Sequence, residues 1–253
     1  MISCYATPGK VKAVRLCELF AQGVNAAGGS ARLSPGVPQK LAPGAAAFYG
    51  VTPETRHLWR QAVREQRDWF YIDNSYFDTT RGTSYRITRN AVQFKGIAPS
   101  DGARRAALGL TVQPMRDDGD HVVVCLQSPT FMQTVAGVDP RSWFDQIRVE
   151  VAERGLMTRL RGWNGNKAVQ AQTLAADLEN AALLITWSSA AAVEALMAGV
   201  PVRVSEQSAA HGIAPEQRDA WLNTLADNQW TLREIGDGTA WRMLNGESCK
   251  KAG

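Results

Sequence analysis

The chain has 253 residues, a formal net charge of +4, 45% hydrophobic and 21% charged residues. That balance suits a folded chain with one large core or two modest ones, and it excludes disordered and fibrous classes. No apolar run approaches the roughly 20 residues that cross a bilayer, and Met1–Gly9 lacks both the basic start and the apolar core of a cleaved leader, so a cytoplasmic protein with no membrane segment is expected.

Ile2 to Ala6 reads as a first buried strand. Lys10 to Ala27 then carries Val11, Val14, Leu16, Leu19, Phe20 and Val24 at three- and four-residue steps, an amphipathic helix that Gly28-Gly29 stops. Ala31 to Leu33 and Ala45 to Val51 are the next strands, separated by a Pro/Gly-rich loop. Thr52-Pro53-Glu54 supplies a cap, a fixed φ and an acid to start a helix that runs to about Gln66. Trp69 to Ile72 is a further strand, and strands and helices alternating at these lengths predict a parallel α/β lobe. Residues just past strand ends line the crevice of such sheets, which puts Asp73, Asn74, Tyr76 and Asp78 in position for chemistry. Asp73 is the candidate general base, with a plain Asx-type turn as the alternative.

Tyr85 to Gln93 alternates like a strand with Arg86 and Arg89 on opposite faces. From Arg81 to Arg105 six basic residues face one acid, Asp101, and Trp69, Phe70, Tyr71, Tyr76, Phe77, Tyr85 and Phe94 are interleaved with the first of them. Rings that stack and cations that meet phosphate would suit a base- or sugar-binding surface, and core packing would account for about half of the rings. The polar stretch 98–119 reads as a connection between lobes. Asp117, Asp118 and Asp120 carry metal-type carboxylates, although an acidic turn before a strand is the commoner reading. Cys4, Cys17, Cys125 and Cys249 lie far apart with no C-x-x-C pair, so free thiols are expected rather than a zinc site or disulfides.

His121 to Leu126 opens a second lobe as a buried strand followed by the loop Gln127-Ser128-Pro129. Asp139-Pro140 starts a helix to Arg154, and Leu156 to Leu160 is a strand that bears Arg159 and precedes Arg161. Ala182 to Trp187 is the most apolar strand. It stops at Ser188-Ser189, a helix runs from Ala190 to Ala198, Gly199 ends it, and Pro201 starts the strand Val202 to Ser205. The helix start beside two hydroxyls offers free N–H groups to an anion. His211 lies in the return loop, Pro215 to Asn228 is helical, and Thr231-x-x-Glu234 matches a capping box.

The motif S-S-x-x-x-x-E-A-L-x-x-G-V-P-V from Ser188 to Val202 resembles the donor half of two-lobed glycosyltransferases of the GT-B type. Together with Q-S-P, R-x-R, Y-I-D-N-S-Y-F and Y-R-I-T-R-N, it is similar to small glycosyltransferase-like proteins encoded by bacteriophages. The resemblance implies an α/β fold of two Rossmann-like lobes with a cleft between them: an acceptor-side lobe 1–97, a connection 98–119, a nucleotide-sugar lobe 120–246 and a frayed tail 247–253. It also implies a nucleotide-diphosphate sugar as donor substrate, no further cofactor and no metal. Ser128, Ser188, Ser189 and Arg161 or Arg159 would face the diphosphate, and Glu194 the ribose. Asp73 would take the acceptor's proton, while Tyr76, Arg86 and Arg89 would contact acceptor or phosphate. The acceptor expected from this likeness is a hydroxymethylated pyrimidine in DNA, flipped out of its stack. A surface-polysaccharide transferase, and a non-catalytic nucleotide-sugar or nucleic-acid binding protein, are the alternatives.

Overall fold

The structure is a computed structural model that describes residues 1–77, 82–162 and 173–246. It divides into two compact units, Met1–Val92 with Asn228–Gly253, and Gln93–Asp227, each with its own sheet. Both are Rossmann-like α/β lobes.

In the first unit β1 (Ile2–Tyr5), β2 (Ala31–Leu33), β3 (Ala45–Tyr49) and β4 (Trp69–Asn74) are parallel, β5 (Ser84–Arg89) runs antiparallel to β4, and β10 (Trp230–Thr231) runs antiparallel to β5, in the order β10-β5-β4-β3-β1-β2. Strand alternation assigns the two faces. Phe70 and Ile72 join Leu16, Phe20 and Val24 of α1 (Val11–Ala26) in one core. Trp69 and Tyr71 face the other way, where Trp59 of α2 (Arg56–Arg64) meets Trp69 edge-on at 5.7 Å between centroids. α2 begins later than Thr52-Pro53-Glu54 predicts. Thr52 and Thr55 each donate a backbone N–H to the other's hydroxyl at 3.2 Å and so close a turn of their own, leaving Thr55 as the cap position. β5 ends before Gln93 because Asn90 adopts φ 55° and its side chain accepts from the Trp69 N–H at 2.8 Å.

The lobe boundaries differ from those the sequence suggests. The stretch 98–119 contains a short helix, α3 (Ala103–Ala107), and belongs to the second unit: Arg105 pairs with Asp219 at 2.6 Å, and the Ala98 N–H donates to Thr224 Oγ1 at 2.9 Å. From Asn228 the chain belongs to the first unit. β10 pairs with β5, Thr231 and Glu234 form the expected capping box of α9 (Leu232–Gly236), and Trp241 of α10 (Thr239–Leu244) packs on Phe70 at 5.4 Å. Gly23 of α1 makes this docking possible, since a Cβ there would lie 1.8 Å from the Ile235 carbonyl oxygen. The expected tail 247–253 lies outside the described residues.

The second unit has β6 (His121–Cys125), β7 (Met157–Arg161), β8 (Ala181–Thr186) and β9 (Val202–Arg203), all parallel, in the order β7-β6-β8-β9. Besides α3, its helices among the described residues are α4 (Pro129–Phe131), which continues into a π-turn at Met132–Ala136, α5 (Pro140–Glu153), α6 (Leu174–Leu178), α7 (Ala191–Met197) and α8 (Arg218–Asp227). Ile147 and Val151 of α5 close on Val122, Val124 and Ile185. Gly199 ends α7 at φ 77°, where a Cβ would clash at 2.0 Å from the Pro114 carbonyl oxygen. Counted within its own lobe, each parallel set is ordered second, first, third, fourth. Ligands of such sheets bind where the winding direction reverses, which here means the C-terminal ends of β1 and β3 in one unit and of β6 and β8 in the other. No described helix is long and apolar enough to cross a membrane.

Candidate active site

In the second unit several of the expected residues gather at the carboxyl end of the sheet. Across its strands Arg161 of β7 stands beside Cys125 of β6, which stands beside Thr186 of β8. The Gln127 side chain, in the loop after β6, accepts from the Ser188 N–H at 2.8 Å and ties the two loops of the switch point together. Ser188 is buried, its hydroxyl also reaching Gln127 at 3.4 Å and its carbonyl accepting from Gln93 Nε2. Ser189 is half-buried and its hydroxyl accepts from the Ala191 N–H at 3.2 Å, one residue ahead of Ala190, the cap position of α7. Ser128 is itself the cap of α4, accepting from the Phe131 N–H at 3.1 Å.

Arg161 pairs with Asp177 of α6, both side chains largely buried. Glu194, on α7, is exposed along its side chain, while the protein around its carboxyl raises the pKa by desolvation and Arg161 pulls it back. Burial likewise pushes the Cys125 thiol up to about 12, with Arg161 opposing and Asp177 and Glu194 adding to it. Arg161, Asp177, Glu194 and Cys125 thus share one electrostatic neighbourhood. Arg159 does not join it. It sits in the middle of β7 opposite Val123, and its field acts on Asp120, before β6.

In the first unit Asp73 and Arg86 face each other across β4 and β5, with Nη2 to Oδ2 at 2.5 Å. Arg86 also donates to the Asn74 carbonyl at 2.6 Å and lies 5.2 Å above the Tyr76 ring. Burial lowers its pKa, but Asp73 and the surrounding tyrosines more than compensate, and the guanidinium stays charged. Tyr76 is fully buried, a packing ring rather than a surface contact. Arg89 lies three residues along β5, at the opposite end of β4, in an exposed pair with Asp68 at 2.6 Å. The structure therefore unites Asp73, Arg86 and Tyr76 and separates Arg89 from them. Asp78, like Arg81, lies outside the described residues.

Among the described residues, most of the interleaved basic and aromatic segment is not a surface. Trp69, Phe70, Tyr71, Tyr76, Phe77 and Tyr85 are all buried, because this segment supplies strands covered on both faces. Arg86, Arg89 and Arg105 are paired with acids, and Arg104 donates to the Ala226 carbonyl at 3.2 Å. His57 holds the Pro38 carbonyl at 2.9 Å on the surface. Asp117 and Asp118 are exposed, and among the described residues no group of three or more His, Cys, Asp or Glu side chains gathers.

Two groups at the first unit's switch point were not singled out from the sequence. Thr7, after β1, and Thr52, after β3, touch at 2.8 Å through their hydroxyls, and Thr7 donates to the Glu54 carboxylate at 3.4 Å. Hydrogen bonds from its own backbone and from Thr52 hold Glu54 below the usual carboxylate range. Nearby in the same unit, Lys12 donates to Asn74 Oδ1 at 2.7 Å and lies 4.8 Å from the Tyr85 ring centroid, its pKa lowered by burial and raised by Asp73. Thr7 and Thr52 carry only the signal of lying after a strand, which does not say which strands flank the reversal, and Lys12 carries none beyond its place in an amphipathic helix.

Solved structures share this architecture. A Thermosulfurimonas dismutans structure described as KpsC, beta Kdo 2,4 transferase, matches with a TM-score of 0.51 at 14% identity over 89% of each chain. A second from that organism, KpsC, beta Kdo 2,7 transferase, matches with a TM-score of 0.52 at 12% identity over 98% of this chain and 99% of that one. The chain has the fold of these sugar transferases. At such identities the likeness is one of fold, and it extends over nearly the whole length of both proteins. No family model matches the chain, and no curated protein matches its sequence.

Proposed function

We propose that the chain is a glycosyltransferase that moves a sugar from a nucleotide-activated donor to a hydroxyl group. The observation that carries this reading is the cluster at the reversal point of the second sheet, where the Gln127-tied Ser188-Ser189 turn, Glu194 and the Arg161–Asp177 pair share one strand-end edge. A hydroxyl-capped turn and an arginine suit a diphosphate, and a carboxylate suits a ribose diol. In this reading Ser189 and Arg161 hold phosphate and Glu194 the ribose, while Ser188 shapes the turn from within. The helix start and Arg161 would stabilise the charge that develops as the nucleotide leaves. On the acceptor side, Asp73 and Glu54 are the two carboxylates at strand ends that could accept the acceptor's proton.

A saccharide acceptor fits better than DNA. The full-length fold likeness is to proteins named as Kdo transferases, and the arginines that suggested a polynucleotide are engaged within the protein. The likeness to phage-encoded proteins rests on the sequence motifs.

A thermal-shift panel of sugar nucleotides tests the donor reading, because a ligand bound only to the folded state raises the melting temperature by mass action. The expected result is a shift with at least one donor that Glu194→Ala abolishes without changing the unliganded fold. A panel with no shift, or a shift that survives Glu194→Ala, refutes the assignment. Isotopic sugar transfer to oligosaccharide but not to hydroxymethylated duplex then decides the acceptor, and the reverse outcome restores DNA.

A further inference from the structure

We propose that the second unit holds a separate pocket for a small molecule with an oxoanion, a carboxylate or phosphate, on an apolar body. The pocket has a volume of about 370 Å³ and runs beside β9. Met115, Leu196, Val202, Val204 and Ile213 supply apolar walls, Arg218, Arg203 and His211 the polar ones, and among the described residues the lining includes no acid, although Glu150 pairs with Arg203 from outside it.

Arg218 is the group that calls for a ligand. It is only 6% exposed and has no carboxylate partner among the described residues. Nη1 donates to the Gln113 and Leu196 carbonyls, each at 2.8 Å, and Nε donates to the Pro215 carbonyl at 3.1 Å. Nη2 has no acceptor among the described residues, yet it is not one of the unpaired atoms sealed from solvent. The Leu196 carbonyl lies in the last turn of α7, where the negative end of the helix offsets part of the charge, so Nη1 has a structural explanation and Nη2 has none. Nearby acids are engaged elsewhere: Asp219 pairs with Arg105 at 2.6 Å, and Glu150 holds Arg203. Nη2 is open to solvent, and an oxoanion there would replace water with a charge-assisted hydrogen bond.

The edge strand adds donors. The Leu184 N–H donates to the Pro201 carbonyl and the Ser205 N–H to the Trp187 carbonyl, so the alternate residues Val202 and Val204, both in the pocket lining, turn their N–H and C=O groups away from β8. An anion anchored at Arg218 with its apolar part against Val202, Val204 and Ile213 would use the whole pocket.

The test is a titration of the isotope-labelled full chain with benzoate, phenyl phosphate and, as a neutral control, benzamide, read at the Val202, Val204, Gly212 and Ile213 amides. The expected result is saturable shifts with an anion at about 10 mM, at least about tenfold weaker with benzamide. Benzoate binding more tightly identifies a carboxylate ligand, and phenyl phosphate binding more tightly identifies a phosphate. Because Arg218 also ties three segments together, the deciding variant is Val204→Trp, which fills the pocket and leaves Arg218 untouched; it should abolish the shifts while the rest of the spectrum is retained. No response to either anion, an equal response to benzamide, or shifts that persist in Val204→Trp would overturn the proposal.

Discussion

Replacing Asp73 by asparagine tests whether this carboxylate serves the fold or the reaction. The Arg86 side chain is 7% exposed and that of Asp73 28%. Removing one partner of a fully buried ion pair costs about 3–5 kcal/mol. Water screens part of the Asp73 charge, and Arg86 retains the Asn74 carbonyl and the Tyr76 ring. We therefore expect Asp73→Asn to destabilise the first unit by about 2–3 kcal/mol, roughly 6–15 °C in melting temperature. Native-state hydrogen exchange at the β4 and β5 amides reads this directly and does not require both units to unfold together. The double variant Asp73→Leu/Arg86→Met should recover most of the loss, since it removes the desolvation of both charges at once. Exchange rates unchanged in Asp73→Asn, with sugar transfer abolished, would refute this and make Asp73 the proton acceptor.

Three further outcomes follow from the geometry. Because burial raises the Glu194 carboxyl above its ordinary value of 4.5, the native state favours its protonated form. That contribution is complete below about 4.5 and is lost as pH rises through the raised folded value. Glu194→Gln should therefore melt with the wild type in acid and above it at pH 7, and coincident melting curves at both ends would contradict the shift. Burial raises the thiols of Cys4, Cys17 and Cys125, the last two to about 12, so a thiol reagent at pH 8 should leave all three unlabelled in the native chain and reach them on unfolding, as peptide mapping would show. Gly23→Ala should destabilise the first unit by about 3 kcal/mol or more, because its Cβ meets the Ile235 carbonyl oxygen at 1.8 Å; a urea midpoint within error of wild type would show that α9 docks otherwise.

The sequence by itself determined the elements whose causes are local. The apolar runs Val122–Val124 and Leu183–Ile185 read as strands, Gly199 before Pro201 as the end of one helix and the start of a strand, and Thr231 with Glu234 as the opening of another helix, and each forms as read. Strands alternating with helices at those lengths predicted a parallel α/β lobe, the resemblance implied Rossmann-like winding, and the motif around Ser188 and Glu194 marked the strand-end edge where the second lobe's cluster stands. Only the tertiary structure decided which partner each charge meets and to which unit each segment belongs. Arg86 and Arg89 look equivalent in Y-R-I-T-R-N, yet strand alternation and register bury one against Asp73 and leave the other on the surface with Asp68. Nothing near Trp230 in the chain announces that it will pair with Tyr85, nor that Arg218 will lie among carbonyls instead of acids. The physical reason is range: capping, turn geometry and hydrophobic period act over a few residues, whereas ion pairing and strand pairing depend on distances that the folded chain alone creates.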